Sequence, residues 1–516
     1  MVFLHRRAVL LAVACALAAV APSALSGCGS GARKPLSAAL TPTPTPTSVT
    51  VQAQRPVRRV PFGFLGLSLE YRAVEAYAGT DPRAIDPVFE QLVRNLDPGQ
   101  APVLRIGGDT ADRTWWPTPG VVKPPGIKYS ITPGWLAVTR ALADALRARL
   151  ILGLNLEADS PPLAASEANA LLAGIGSDRV RAFELGNEPD LYASFPWYRT
   201  PSGQHVTGRP ADYDVSSLIG DFTRFAAVLP PHRKLAGPSL GAPRWTHQLG
   251  RFLAAEPQVG LVTLHRYPLQ LCYIRRSSPR YPTIAHLLKP SSSIGLADSF
   301  APYVAVAQAH GLSLRIDELN SVSCGADPAV SQTFASALWV LDTLFEMARD
   351  GIHGVDVHTF PGAGYELFRV ARARGRWRAV VSPEYYGLLL FARAAPAGAR
   401  LLAVSGASSG AVRTWATRAD DGTIRVLLVN EGTAARRLGV GVAGAAPGRA
   451  ALERLSAPAV DAHSGVTLAG QSFAPQTFTG KLPGAPAMIS VTPAGGRYQV
   501  SLPADSAAML VLGPAS

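Results

Sequence analysis

Residues 182–189 read Ala182-Phe183-Glu184-Leu185-Gly186-Asn187-Glu188-Pro189. An apolar, β-prone run ends in Asn-Glu-Pro, and a proline there cannot continue a ladder of backbone hydrogen bonds. The stretch predicts a buried strand with polar residues at its carboxyl end. Working outward, short β-rich runs recur at Phe62–Leu69, Val103–Ile106, Leu150–Leu154, Lys234–Gly237, Leu261–His265, Leu312–Ile316 and Gly354–His358. Most are followed by helix-patterned segments. Trp135–Arg149 and Ser331–Ala348 repeat apolar residues at spacings of three and four. Strand and helix alternating eight times predict a parallel (β/α)8 barrel. An open doubly wound sheet is the structural rival, but no glycine-rich phosphate loop follows the first strand.

After Glu384 the pattern changes. A short helix over Tyr385–Arg393 gives way to alternating segments such as Ala411–Thr417 and Thr423–Val429, separated by turn signals such as Asp420-Asp421-Gly422 and Asn430-Glu431-Gly432. That is the pattern of antiparallel strands and hairpins. The expected organisation is an α/β chain, with a TIM-type barrel over 62–395 followed by an antiparallel β-sandwich over 396–516. Residues 49–61 are expected to join the sandwich as an edge strand.

The amino-terminal residues read as an address rather than as fold. His5-Arg6-Arg7 precede an apolar run from Ala8 to Ala21 that Pro22 ends; this is the layout of an export signal, and it is short for a spanning helix. The segment closes in Leu25-Ser26-Gly27-Cys28, which resembles a bacterial lipobox. That resemblance implies a signal peptide over 1–27, cleavage before Cys28 and a lipid on its thiol, hence an exported protein anchored to a membrane. The rival is ordinary signal cleavage with a spare cysteine. Residues 28–48 contain Thr41-Pro42-Thr43-Pro44-Thr45-Pro46-Thr47, an extended, semi-rigid spacer.

The formal net charge of +13 suggests nucleic acid until its location is considered. Residues 1–60 hold seven basic side chains and no acidic one, which leaves +6 over the remaining 456 residues. A modestly basic body suits acidic substrates and does not make a nucleic-acid-binding surface.

In a (β/α)8 barrel the site lies at the carboxyl ends of the strands. The polar residues there are Glu70, Asp109, Asn155, Asn187, Glu188, Ser239, His265, Tyr267, Glu318, Asn320 and His358. Stability does not call for such a ring. Glu188 ends the fourth strand, and Leu312-Ser313-Leu314-Arg315-Ile316-Asp317-Glu318 ends the seventh. The pair resembles the signature of the retaining (β/α)8 glycosidases. In that resemblance Glu188 is the acid/base, Glu318 is the nucleophile, and Asn187 contacts the hydroxyl beside the anomeric carbon. Such enzymes need two carboxyls about 5–5.5 Å apart. Asp317 is a rival nucleophile, but strand alternation is expected to turn it to the opposite face from Glu318.

Three longer stretches narrow the resemblance. They are Phe64-Leu65-Gly66-Leu67-Ser68-Leu69-Glu70, Leu104-Arg105-Ile106-Gly107-Gly108-Asp109, and Glu318-Leu319-Asn320-Ser321-Val322-Ser323-Cys324-Gly325 leading into Phe334-Ala335-Ser336-Ala337-Leu338-Trp339. Together they look like glycoside hydrolase family 79, the β-glucuronidases and heparanase relatives. The resemblance covers residues 62–366. It implies that Glu70, Asp109 and Asn187 bind sugar hydroxyls. It also implies that the loop Asn320–Gly325, including Ser321 and Ser323, offers backbone N–H groups to a uronate carboxylate, with hydroxyls from Tyr267 and Tyr365. Gly325 is followed by Ala326, where relatives often carry a second glycine. The expected partner is a uronate-containing carbohydrate, with no metal, organic cofactor or nucleic acid. A neutral-sugar glycosidase of the same clan, or a non-catalytic carbohydrate-binding lipoprotein, is the alternative. Cys272 and Cys324 follow the sixth and seventh strands and are expected to form a disulfide on one rim; two unrelated buried cysteines are the alternative. Trp115, Trp116, Trp197 and Tyr198 are candidates for sugar-stacking faces.

Overall fold

A computed structural model describes residues 47–406, 410–445 and 448–513. The export signal, Cys28 and nearly all of the Thr/Pro spacer lie outside the described residues. Among those described, no helix is long and apolar enough to cross a membrane.

Strand β1 spans Thr47–Arg59. Eight parallel strands then close a barrel: β2 Leu65–Glu70, β3 Val103–Gly107, β4 Arg149–Leu154, β5 Val180–Leu185, β6 Leu235–Leu240, β7 Val259–Arg266, β8 Leu314–Leu319 and β9 Gly354–Thr359. The ring closes through β9 against β2 and β5 against β6. The eightfold alternation of strand and helix is thus realised as the expected barrel.

Strands covered on both faces read as apolar runs, but the barrel's interior is apolar only near its floor. There Val103, Ile151, Ala182, Ala236 and Leu261 form a small cluster. Beside it Arg315 pairs with Asp356 (Nε–Oδ2 2.7 Å), both fully enclosed. Above lie Ser68, Arg105, Glu184, Ser239, Thr263 and Asp317, all essentially without solvent contact. Polar groups buried at this depth need partners, and all of these but Asp317 find hydrogen-bond partners in one another; Asp317 has His265 Nε2 at 3.4 Å from its Oδ1.

The rest of the chain forms a ten-stranded, mostly antiparallel sheet. Its strands are β10 Arg400–Gly406, β11 Val412–Arg418, β12 Ile424–Asn430, β13 Arg436–Ala443, β14 Ala450–Ser456, β15 Thr467–Leu468, β16 Ile489–Val491, β17 Arg497–Leu502 and β18 Ser506–Leu512, together with β1. The path runs β15-β14-β18-β12-β11-β10-β1-β13-β17, with β16 on β14. Strands from both ends of this path share one apolar core, in which Leu452 and Leu510 meet Leu438 and Val500, so the sheet folds over on itself.

One expectation is corrected here. Strand β1 is interior, not an edge: it pairs antiparallel with β10 and parallel with β13. Val49, Val51 and Ala53 alternate into the core, and both rows of its backbone groups lie against neighbours.

The two bodies meet through helix Phe334–Asp350, which is buried from Phe334 through Ala348. A helix apolar on every side belongs inside a structure; this one has barrel strands on one side and the sheet on the other. Trp415 of β11 stacks on Phe345 (centroids 5.4 Å apart, planes 16°) and donates from Nε1 to Asp342 Oδ1 at 2.9 Å. Phenylalanine at position 415 keeps the stack and removes the donor to a buried carboxyl. Trp415→Phe should therefore cost about 1–3 kcal/mol of unfolding free energy, read from urea denaturation curves.

Candidate active site

Each strand delivers its polar residues by ending where it does. After β5, Gly186 and then Glu188 take left-handed backbone (φ 75° and 54°), and Pro189 starts a short 3-10 turn. Left-handed backbone is costly for glutamate, on the order of 1–2 kcal/mol. The turn is held by Asp112, which accepts from the N–H groups of Asn187 (2.8 Å), Leu156 (2.9 Å) and Glu157 (3.1 Å), and from Tyr192 Oη at 2.6 Å. Gly241, in the loop after β6, lies directly against the Glu188 carboxyl. A Cβ there would sit 2.3 Å from Glu188 Cδ, so any other residue would displace the acid. Gly108 (φ 69°) stands in the same relation to Glu70, which accepts from Thr110 N at 2.8 Å.

On the opposite wall, Glu318 enters the cavity because β8 is irregular. Its register slips against β7 at Leu264/His265 and against β9 between Ile316 and Leu319, as at a β-bulge. Asp317 consequently does not turn away from the interior, contrary to simple alternation. It lies one layer below Glu318, fully buried, with Oδ1 3.4 Å from His265 Nε2. Burial and the neighbouring Glu184 push its carboxyl well up, whereas Arg105 draws Glu184 down against its own burial. Of the two, Asp317 is the acid that favours its protonated form and Glu184 the one that favours its ionised form. Asp317 is below the cavity, not on its wall.

Arg105 stands at the centre of this arrangement. It is fully enclosed and donates to Glu184 Oε2 (2.8 Å), Ser68 Oγ (3.1 Å), Glu318 Oε2 (2.5 Å) and Asn187 Oδ1 (2.8 Å); His265 Nε2 lies 3.3 Å away. Tyr267 Oη donates to the second oxygen of Glu318 at 2.8 Å. His265 Nδ1 is 3.3 Å from Glu188 Oε1 and 3.9 Å from Glu318 Oε2. Oxygens of Glu188 and Glu318 approach within 4.8 Å of each other around that imidazole.

Burial alone would raise the Glu318 carboxyl. His358, His265 and Arg105, together with the Tyr267 hydroxyl, outweigh it and hold Glu318 well below the usual carboxylate range. His265 is pushed up to about 10: burial and Arg105 oppose its charge, but Glu318, Asp317 and Glu188 prevail. Asp109 stands in the barrel mouth, exposed to the open cavity. Partial desolvation by the surrounding walls, and then Glu70, Glu188 and Glu318, push it up to about 7. Two triads, Glu184-His265-Asp317 and Glu188-His265-Glu318, are compact enough to chelate a cation. Arg105 already supplies a positive charge to both, which opposes a second one.

These groups open on a cavity of about 490 Å³. Of the residues expected to bind substrate, Glu70, Asp109, Asn187, Tyr267, Ser323, Gly325 and Tyr365 line it. Asn320 and Ser321 do not, and that expectation is corrected. Asn320 donates to His358 O at 2.9 Å and accepts from Ser321 N, while Ser321 Oγ contacts Ser331 Oγ at 2.8 Å. Both side chains brace the loop from below, and the Ser321 N–H is spent there. Asn155 is likewise structural, donating to Thr114 O and accepting from Ala158 N. Trp115 and Trp197 pack with Ile127 and Leu163 rather than facing the cavity; Trp197 Nε1 donates to Asp112 O at 2.8 Å.

Cys272 and Cys324 form a disulfide (Cα–Cα 5.8 Å) between the loops after β7 and β8. Beside it Leu269–Gln270 pairs in parallel with Val322–Ser323. Cys324, Gly325 and Ala326 are all left-handed (φ 65°, 93° and 63°), a turn that glycine makes most readily.

Comparisons with known proteins agree with this architecture. The family model described as the glycosyl hydrolase family 79 C-terminal beta domain matches residues 413–509. The chain is 28% identical over 233 residues to inactive heparanase-2 of Homo sapiens, covering 43% of this chain but only 36% of that protein's length. With heparanase of Bos taurus it shares 26% over 402 residues, 66% of this chain and 67% of that one. Among solved structures, a 4-O-α-L-rhamnosyl-β-D-glucuronidase from Fusarium oxysporum superposes with a TM-score of 0.69 at 22% identity, over 90% of this chain and all of that one. A GH51 arabinofuranosidase from Xanthomonas axonopodis gives 0.64 at 17% identity, over 90% of this chain and 99% of that one. With the barrel, its folded carboxyl-terminal sheet and these relatives in view, the chain resembles the glycoside hydrolase family 79 proteins, and the sheet itself matches that family's C-terminal beta domain over residues 413–509.

Proposed function

We propose that this protein is a retaining glycoside hydrolase that releases β-linked glucuronic acid, with Glu318 as nucleophile and Glu188 as acid/base. The observation that carries the reading is the approach of the two carboxyls to within 4.8 Å across a shared cavity. That separation suits double displacement and leaves no room for the water that an inverting enzyme places between its acids.

In the first step a Glu318 oxygen bonds to the anomeric carbon, the glycosidic C–O bond breaks, and the leaving oxygen takes the proton of Glu188. In the second, Glu188 removes a proton from water, whose oxygen replaces Glu318 on the sugar. Glu318 must be anionic at the start, and Arg105, His265 and His358 favour that state. The positive charge on His265 compensates the carboxylate that Glu188 becomes once its proton has left. Asn187 is aimed by Arg105, and Glu70 and Asp109 face the same space. The uronate carboxylate fits the wall formed by Tyr267, Tyr365, Ser323 and Gly325, because an anion in a partly dry pocket needs several donors. The relatives named heparanase and glucuronidase support that choice of sugar. Export and a lipid at Cys28 belong to the same proposal: labelled palmitate should enter the full chain and fail to enter Cys28→Ser.

Nitrophenyl β-glucuronide, β-xyloside and β-glucoside, offered side by side, test the reading. Glucuronide should be cleaved fastest, with the β-anomer as first product by NMR, and Glu188→Gln or Glu318→Gln should each lower kcat by about 10²–10⁴-fold. A fastest xyloside would return the neutral-sugar reading, and no turnover of any glycoside would favour the non-catalytic one.

Protonation of His265 offers a second test. Its pKa is raised on folding, so the stabilisation it brings is complete below the ordinary histidine value of 6.5 and is lost as pH rises through about 10. In ¹H–¹⁵N NMR the His265 imidazolium should persist at mildly alkaline pH. Glu318→Gln removes the leading favourable charge and should move the titration to lower pH.

A further inference from the structure

One stretch outside the cavity carries charge that the reaction described above does not use. Between Glu366 and Glu384 there is no acidic residue, whereas Arg369, Arg372, Arg374, Arg376 and Arg378 all fall there, against a surplus of +6 over residues 61–516. The stretch folds as a hairpin, Phe368–Ala373 antiparallel to Arg376–Val381, with Arg374 left-handed at its turn (φ 50°). None of these residues lines the cavity that holds Glu188 and Glu318.

Directly opposed residues share one face of such a pair, and the two faces of this hairpin differ. One packs on the body. Trp377 lies against Gly79, where an added Cβ would sit 3.0 Å from its ring, and Ala379 exchanges backbone hydrogen bonds with Thr477. The other face holds the opposed pairs Arg369–Val380, Ala371–Arg378 and Ala373–Arg376, and it turns to solvent. The Arg369 side chain is 66% exposed and Val380 is 44% exposed. Phe478, 43% exposed, extends this face, with Arg376 Cζ 4.7 Å from its ring centroid. Arg378 Nη1 donates to Gln476 Oε1 at 3.1 Å. Among the described residues, the one carboxylate within 4.0 Å of these three guanidiniums is Glu366, 3.8 Å from Arg369 Nε.

Two kinds of large anion suit such a face, an acidic polysaccharide and an acidic bilayer. Sugar hydroxyls donate hydrogen bonds as well as accept them. The outward side chains are arginine, alanine, valine and phenylalanine, which accept none, and the amide oxygen of Gln476 is already taken by Arg378. Lipid phosphates only accept, and they suit arginine. Val380 and Phe478 would stay wet beside a hydrated glycan, but between head groups they bury apolar area. We propose that this hairpin seats the body on an anionic phospholipid surface. The proposal rests on the reading above that Cys28 carries a lipid. Residues 29–46, taken as an extended spacer, would span about 55 Å, against a radius of gyration of about 23 Å for a body of this size. Such a tether brings the body to a bilayer without choosing which face meets it; the hairpin makes that choice.

Vesicle flotation of the full-length Cys28→Ser chain tests the surface with the lipid removed as a cause of binding. Vesicles of phosphatidylcholine are compared with an equimolar mixture of phosphatidylcholine and phosphatidylglycerol. The chain should prefer the charged vesicles, and added salt should erode the preference. Arg369→Gln, Arg376→Gln and Arg378→Gln should each weaken binding to them about fivefold, with no change on neutral vesicles. The three matching lysine substitutions, made together, should keep most of the preference, because a lipid surface reads charge more than fork geometry; this separates lost charge from lost folding. Equal binding to both vesicles, or a preference that the triple glutamine variant leaves undiminished, overturns the proposal. So does arginine-dependent binding of soluble polyglucuronate without any preference for charged lipid, which would give the face to a glycan. Failure of palmitate to enter the full chain while the vesicle preference persists would instead remove the anchor and leave the surface standing.

Discussion

The structure is organised around one buried guanidinium. Arg105 reaches both walls of the barrel, because its planar fork can bond Glu184, Glu318, Asn187 and Ser68 at once. A lysine could supply the charge but not this geometry. A charge in a closed interior is costly unless it is paired and its donors are used, and here every described contact meets the condition. The same contacts fix the rotamer of Glu318, the orientation of Asn187 and the position of Glu184 below them. Stability and chemistry draw on one set of hydrogen bonds, so neither can be altered alone.

The acids around that guanidinium are not equivalent, and their differences follow from depth. Glu184 and Asp317 lie beneath the cavity, where neighbouring carboxylates repel each other: burial and Glu184 push Asp317 up, while Arg105 holds Glu184 down against its burial. Glu318 sits one layer higher and meets three positive groups, so it stays ionised in spite of its burial. Asp109 faces open space among three other acids and is poised near neutrality. A similar carboxyl is thus pushed towards its protonated or its ionised form according to which neighbours it has. The bulge in β8 makes this sorting possible, since it places two consecutive acids on successive layers of one interior.

Much of this was legible in the residues. The eight strand ends, the Asn-Glu-Pro turn and the second glutamate near the end of the seventh strand stand out, because barrel chemistry collects at one face and apolar strands advertise their limits. What escaped has physical causes. Arg105 looked like one polar residue inside an apolar strand; that its partners come from the first, fourth, sixth and seventh barrel positions is a fact of closure, not of local pattern. Asp317 was assigned to the opposite face from Glu318, because alternation assumes an unbroken pleat. Asn320 and Ser321 were placed against substrate, but their side chains find partners within their own loop and the adjoining strand first. Trp115 and Trp197 were offered as stacking faces, and each pairs its indole N–H with a neighbour inside a small satellite core. Strand β1 was read as an edge because its second partner, β13, lies hundreds of residues away in the chain.

That last point has a bearing on biogenesis. Because β1 sits between β10 and β13, the earliest described segment is a spine for the last-made body. During synthesis the barrel has all its strands while this segment still lacks both flanking partners, so it must idle, extended and sticky, until translation nears completion. Its density of arginines, Arg55, Arg58 and Arg59, keeps part of it water-loving through that interval. Cutting the gene at the barrel's end would not yield two self-sufficient halves: the downstream piece would have a slot in the middle of its fabric, and the upstream piece would carry the missing thread.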